Sequence, residues 1–216
     1  MERFLFDGPA RAPRTLVLAH GAGAPMDSPF LEAIAKGIAS GGFRVARFEF
    51  PYMRARREEG KKRPPDRGPV LSESWREAIR ALSGAEGPRG LVIGGKSLGG
   101  RIASLVADEA GVGGLVCLGY PFHPAGKPDV LRVRHLESLK TPGLIVQGTR
   151  DPFGGREEVS RYRLSPSLNV AFLEDGDHSF RPRVSSGRTE AQNLAQAVAL
   201  VTAFLEEQSR GFPRSA

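Results

Sequence analysis

The chain has 216 residues, 40% of them hydrophobic and 25% charged, which suits one compact domain over residues 1–216 with a core of its own. No apolar run is long enough to span a bilayer, the stretch from Met1 to Gly8 lacks the apolar centre of a signal peptide, and a lone cysteine, Cys117, forms no internal disulfide. The expectation is a cytoplasmic protein with no membrane partner, in which Cys117 is a small buried hydrophobe. The net charge of +7 is an arginine excess, 25 Arg against 6 Lys.

Strand and helix candidates alternate along the chain, the signature of a parallel sheet covered by helices. Thr15-Leu16-Val17-Leu18-Ala19 reads as a buried strand. Ser28 and Pro29 open a helix with Leu31, Ile34 and Ile38 on one face, and Gly41-Gly42 stops it. Residues 43–48 form the next strand. Arg54, Arg56, Arg57, Lys61, Lys62, Arg63 and Arg67 then crowd a segment broken by Pro64-Pro65. It reads as a solvated loop, or as one that recruits acidic substrates. Nucleic acid is not an expected partner, because the segment has one nearby aromatic, Tyr52, for base stacking and no recognition module is present. Trp75, Ile79 and Leu82 repeat at helical spacing after Ser72, as do Ile102, Leu105 and Val106 further on. Strands are expected at 115–118, 143–146 and 169–173. A last helix carries Leu194, Val198, Val201 and Leu205 on one face, with Thr189 and Gln192 as a capping box.

Gly95-Lys96-Ser97-Leu98-Gly99 follows the apolar run Leu91-Val92-Ile93 and precedes a helical pattern, so Ser97 is displayed at a strand-to-helix turn. The flanking glycines allow the backbone before and after the serine to approach closely. With 27 Gly and 16 Ser in the chain, G-x-S-x-G arises by chance roughly 0.25 times, so its context must decide. Two further strand candidates are followed by Asp151 and His178. The order Ser97, Asp151, His178 is that of α/β-hydrolases, and all three residues are expected at the carboxyl edge of one sheet. Asp175 and Asp177 are rivals for the acid, but they sit too close in sequence to reach the far nitrogen of His178. Four scattered histidines without ligand spacing give no metal site, and no cofactor is expected. His135 reads as a surface residue.

Residues 120–139 are the one stretch able to act as a cap, so no large lid domain and an open pocket are expected. Phe122 and His123 are candidates to line the cleft, His123 reading first as a structural or solvent residue. Tyr52 joins them as a candidate substrate contact.

His20-Gly21-Ala22-Gly23-Ala24, Phe50-Pro51-Tyr52-Met53, Gly94-Gly95-Lys96-Ser97-Leu98-Gly99-Gly100-Arg101, Gly119-Tyr120-Pro121-Phe122-His123-Pro124, Gly148-Thr149-Arg150-Asp151 and Asp177-His178-Ser179-Phe180 together resemble a family of small α/β-hydrolases. That family is related to the dienelactone hydrolases and to the hydrolase-like domain of a subunit of the eukaryotic NSL acetyltransferase complex. The resemblance spans about residues 14–206. It implies a mostly parallel central sheet flanked by helices, a triad at Ser97, Asp151 and His178, and an oxyanion loop at residues 20–24. Dienelactone hydrolases carry a cysteine nucleophile where this chain has Ser97, which argues against dienelactone as the substrate. On this reading the backbone N–H groups of Ala22 and Leu98 meet the developing oxyanion. His20 shapes the loop. Two functional classes follow: a serine hydrolase acting on small carboxylic esters or related acyl substrates, and a catalytically silent hydrolase-fold interaction module. Three matched residues at three strand ends favour the first.

Overall fold

The computed structural model describes residues 4–210. Seven strands form one sheet: β1 (Leu5–Asp7), β2 (Thr15–Ala19), β3 (Arg44–Phe48), β4 (Leu91–Lys96), β5 (Gly114–Leu118), β6 (Gly143–Gly148) and β7 (Leu168–Leu173). Their order is β1-β3-β2-β4-β5-β6-β7, all parallel except β1, which runs antiparallel to β3 at one edge. The helices are α1 (Pro29–Ser40), α2 (Pro51–Glu59), α3 (Gly68–Leu82), α4 (Leu98–Ala110), the single turn α5 (Arg156–Val159) and α6 (Glu190–Ser209). Among the described residues no helix is long and apolar enough to cross a membrane.

Alternation along the strands sorts the core into two layers. Leu16 and Leu18 of β2 pack with Leu31, Ile34 and Ile38 of α1 and with Val201 and Leu205 of α6. Val17 and Ala19 face the other way, toward Trp75 and Ile79 of α3 and Ile102 and Val106 of α4. The Tyr52 and Met53 side chains of α2 join this second layer. Cys117, wholly buried there, has its thiol pushed up by burial and points at the Gly100 carbonyl. The Thr189–Gln192 capping box opens α6 as the sequence indicates, each side chain bonded to the other's backbone N–H.

Several elements differ from the sequence reading. Residues 54–67 are not one loop, because Pro51 at the first helical position and Gly60 in the left-handed region at φ 67° bound the helix α2. Its Arg57 is bonded to Asp27 at 2.8 Å and to the buried Glu49 at 2.6 Å. Leu105 is 43% exposed, because the buried stripe of α4 runs instead through Ile102, Ala103, Val106 and Ala107. His135 is half-buried, its Nε2 2.9 Å from Ser104 Oγ, and burial together with nearby Arg101 lowers its pKa to about 4. Residues 120–139 do not cap the carboxyl edge. Tyr120, Phe122, Val133, Leu136 and Leu139 fold into the α3/α4 layer instead.

Candidate active site

β4 ends at Lys96 and α4 starts at Leu98, so Ser97 takes the whole turn at φ 50°, ψ −110°. This is a costly conformation for a residue with a Cβ. The backbone around it holds the strain, since Ser97 N–H donates to Leu118 O at 3.0 Å and Ser97 O accepts from Arg101 N–H at 2.9 Å. The elbow glycines meet one obstacle, the end of β2. A Cβ on Gly95, itself at φ +154°, would stand 2.1 Å from Ala19 O, and one on Gly99 2.4 Å from the same atom. Trp75 Nε1 donates to Gly99 O at 3.3 Å and fixes the first turn of α4 to α3.

Asp151 lies just beyond β6, its side chain fully buried. Its Oδ2 accepts from His178 Nδ1 at 2.8 Å and from the Gln147 carboxamide at 2.9 Å, and its Oδ1 accepts from Phe153 N–H at 2.9 Å. With Nδ1 committed to the carboxylate, the His178 ring presents Nε2 on its opposite side. The loop after β7 carries this ring. Asp177 Oδ1 accepts from the N–H groups of Ser179 and Arg181, Asn193 donates to Phe180 O, and Arg150 N–H donates to Gly176 O. Asp175 instead bonds Arg150 and Arg183, and the Arg183 guanidinium holds its carboxyl down to about 2.

Ser97 and His178 line one cavity of about 530 Å³, together with residues 21–24, Pro29, Phe30, Leu31, Lys96, Phe153 and Leu194. The cavity opens on the α1/α6 side of the sheet. Ala22 is on its wall, and Leu98 occupies the first helical position of α4, where an N–H has no intrahelical acceptor. His20 is buried behind the loop, where its Nδ1 donates to Gly21 O at 2.7 Å and its Nε2 accepts from Phe50 N–H at 3.1 Å. That pair of bonds fixes a neutral ring, and burial lowers its pKa.

Tyr52, Phe122 and His123 are not among the residues lining this cavity. Tyr52 is 2% exposed; its hydroxyl donates to Gly21 O and Ala22 O at 3.3 and 3.2 Å and braces the loop from behind. Phe122 is fully buried against Tyr120 and Tyr162. His123 is bonded to Pro124 O at 2.8 Å and to Glu158 at 3.0 Å.

Three residues at the site escaped the sequence reading. Gln147 is wholly buried and bonds Tyr120 N–H, Tyr120 O, Gly154 O and Asp151 at once. Its one signal was a polar residue ending an apolar strand. Phe153 lies with its ring 4.4 Å from that of His178. Lys96 lines the cavity from the elbow itself, its amine donating to the His178 carbonyl. A hydroxyl, an imidazole and a buried carboxylate in this chain order can relay a proton away from an attacking oxygen.

A family model described as an alpha/beta hydrolase domain matches residues 12–206. Among solved structures, a dienelactone hydrolase from Anabaena variabilis is similar with a TM-score of 0.73 and 20% identity, covering 94% of this chain and 90% of that one. The esterase domain of a Rhodothermus marinus protein is similar at a TM-score of 0.67 and 18% identity over 94% of this chain and 91% of its own. A Xanthomonas campestris member of the α/β serine hydrolases without a lid gives 0.65 and 18% over 99% and 90%.

Proposed function

The chain belongs to the alpha/beta hydrolase domain family, and from that premise we propose that it is a serine hydrolase of small carboxylic esters. The observation that carries the proposal is the 2.8 Å pairing of His178 Nδ1 with buried Asp151, with His178 on the same cavity wall as Ser97. In the proposed reaction His178 Nε2 takes the Ser97 proton as Oγ attacks the acyl carbon. It then protonates the leaving alcohol and later activates the water that releases the acid. Asp151 keeps the ring in the tautomer this requires and stabilises the imidazolium. The backbone N–H groups of Leu98 and Ala22 are the proposed oxyanion donors, and each contributes roughly a hundredfold or more in rate. The names of the structures of similar fold, an esterase domain and a dienelactone hydrolase among them, support acyl chemistry.

The test is turnover of 4-nitrophenyl acetate and butyrate by the wild type and by Ser97→Ala. The proposal expects hydrolysis that disappears in the variant while its melting temperature is kept. Equal turnover by both proteins would refute it.

A further inference from the structure

Lys96 is the residue before Ser97, and its amine is the unusual group on the cavity wall. Nζ donates to the His178 carbonyl and stands 5.4 Å from the centre of the Phe30 ring and 5.8 Å from that of Phe180. No carboxylate among the described residues lies within ion-pair distance of it. The other cation lining the cavity, Arg181, is matched by Glu190 at 3.1 Å. Burial lowers the Lys96 pKa to about 8, with Asp151 and Asp177 pulling the other way from a distance. An ammonium carries three donors. One meets the His178 carbonyl, while the neighbouring wall of Pro29, Phe30, Leu31, Phe153 and Leu194 offers side chains without acceptors. A cation held in apolar surroundings with donors to spare gains most from an anionic ligand that is itself desolvated on entering.

We propose that Lys96 binds a free carboxylate on the acyl chain of the substrate, so that the cavity takes monoesters of short dicarboxylic acids. The ester carbonyl goes to Ser97 and the distal carboxylate to Lys96, with the methylenes between them against Phe30, Phe153 and Leu194. This rests on the serine hydrolase reading for its reacting end. The recognition itself depends only on Lys96 and the cavity.

Two measurements keep the two ideas apart. The first is the kcat/KM ratio for mono-4-nitrophenyl adipate over its neutral methyl ester, in wild type, Lys96→Met and Lys96→Gln. The wild type is expected to prefer the monoanion about tenfold or more, as a charge-assisted hydrogen bond allows. Both variants are expected to lose that preference. The second is calorimetric titration of monomethyl adipate and dimethyl adipate into Ser97→Ala, which needs no turnover, with and without Lys96→Met. Monoanion binding that depends on Lys96 supports the proposal even if no ester is hydrolysed. A substrate ratio that Lys96→Met and Lys96→Gln leave unchanged, or equal binding of the two adipates, overturns it and makes Lys96 a tether for the His178 loop.

Discussion

Replacing Gln147 with leucine tests the frame that holds Asp151. The carboxamide is wholly buried, accepts from Tyr120 N–H at 2.7 Å and donates toward Asp151, Gly154 O and Tyr120 O at 2.9, 3.0 and 3.1 Å. Leucine leaves the Tyr120 N–H without this acceptor, at a cost of about 1–3 kcal/mol, and removes about 1 kcal/mol for each of the two amide hydrogens. Burying the leucine side chain returns about 1.5–2 kcal/mol. The net loss of about 1–3.5 kcal/mol corresponds to a fall in Tm of about 2–14 °C for a chain of this size. Asp151 keeps His178 and the Phe153 N–H but loses one bond on Oδ2, so kcat on 4-nitrophenyl butyrate is expected to fall about tenfold, the value of one hydrogen bond to a charged group. Scanning calorimetry and steady-state kinetics on the purified variant read both effects. A Tm within about 2 °C of wild type would refute the reasoning that Gln147 carries these bonds in the folded protein.

Asp151→Asn, which leaves His178 in the wrong tautomer and sets an amide N–H against the Gln147 donor, is expected to lower kcat about 10⁴-fold, checked by the same kinetics. Gly99→Ala puts a Cβ 2.4 Å from Ala19 O and 2.8 Å from His20 O, so the elbow must shift. A displacement of that kind costs about a hundredfold in kcat, and full activity in this variant would contradict the close approach. His135, held neutral in the fold with its pKa lowered to about 4, binds a proton more readily in the unfolded chain. Its contribution to stability is therefore intact above about pH 6.5 and is lost as pH falls from there toward 4. Tm measured between pH 7 and 4.5 is expected to fall less steeply in His135→Gln than in wild type.

How far these features were legible in the sequence follows from how local their causes are. The strands β2 to β7, the helices α1, α3, α4 and α6, the strand-to-helix turn at Ser97 and the α6 capping box rest on local patterns, and all are found where the sequence places them. β1 is three residues long and is held by the edge that β3 offers and by Arg47, which reaches Asp7 at 2.9 Å. Periodicity cannot register so short an element. α2 buries only Tyr52 and Met53, so its charged remainder reads as loop unless Pro51 and Gly60 are taken as its ends. The spacing of Ser97, Asp151 and His178 after strands marks the carboxyl edge of the sheet, whereas the walls of the cavity depend on which face each loop leaves from. In the sequence, residues 120–139 are the one stretch able to act as a cap. Tyr120, Phe122 and Leu136 carry enough apolar surface to pull the segment into the α3/α4 layer instead. Lys96 acts through a contact 82 residues away in sequence, and Gln147 joins Asp151 to Tyr120, 27 residues before it, a range at which no local pattern gives a sign.

The central claim is that Ser97 is an activated nucleophile, and reaction with a fluorophosphonate reports this whatever the natural ester is. Intact-mass spectrometry followed by peptide mapping is expected to find one adduct per chain, on Ser97. The adduct should be absent from Ser97→Ala and form far more slowly in His178→Ala. A folded wild-type protein that takes no adduct, or takes it on another residue with Ser97 untouched, would contradict the account.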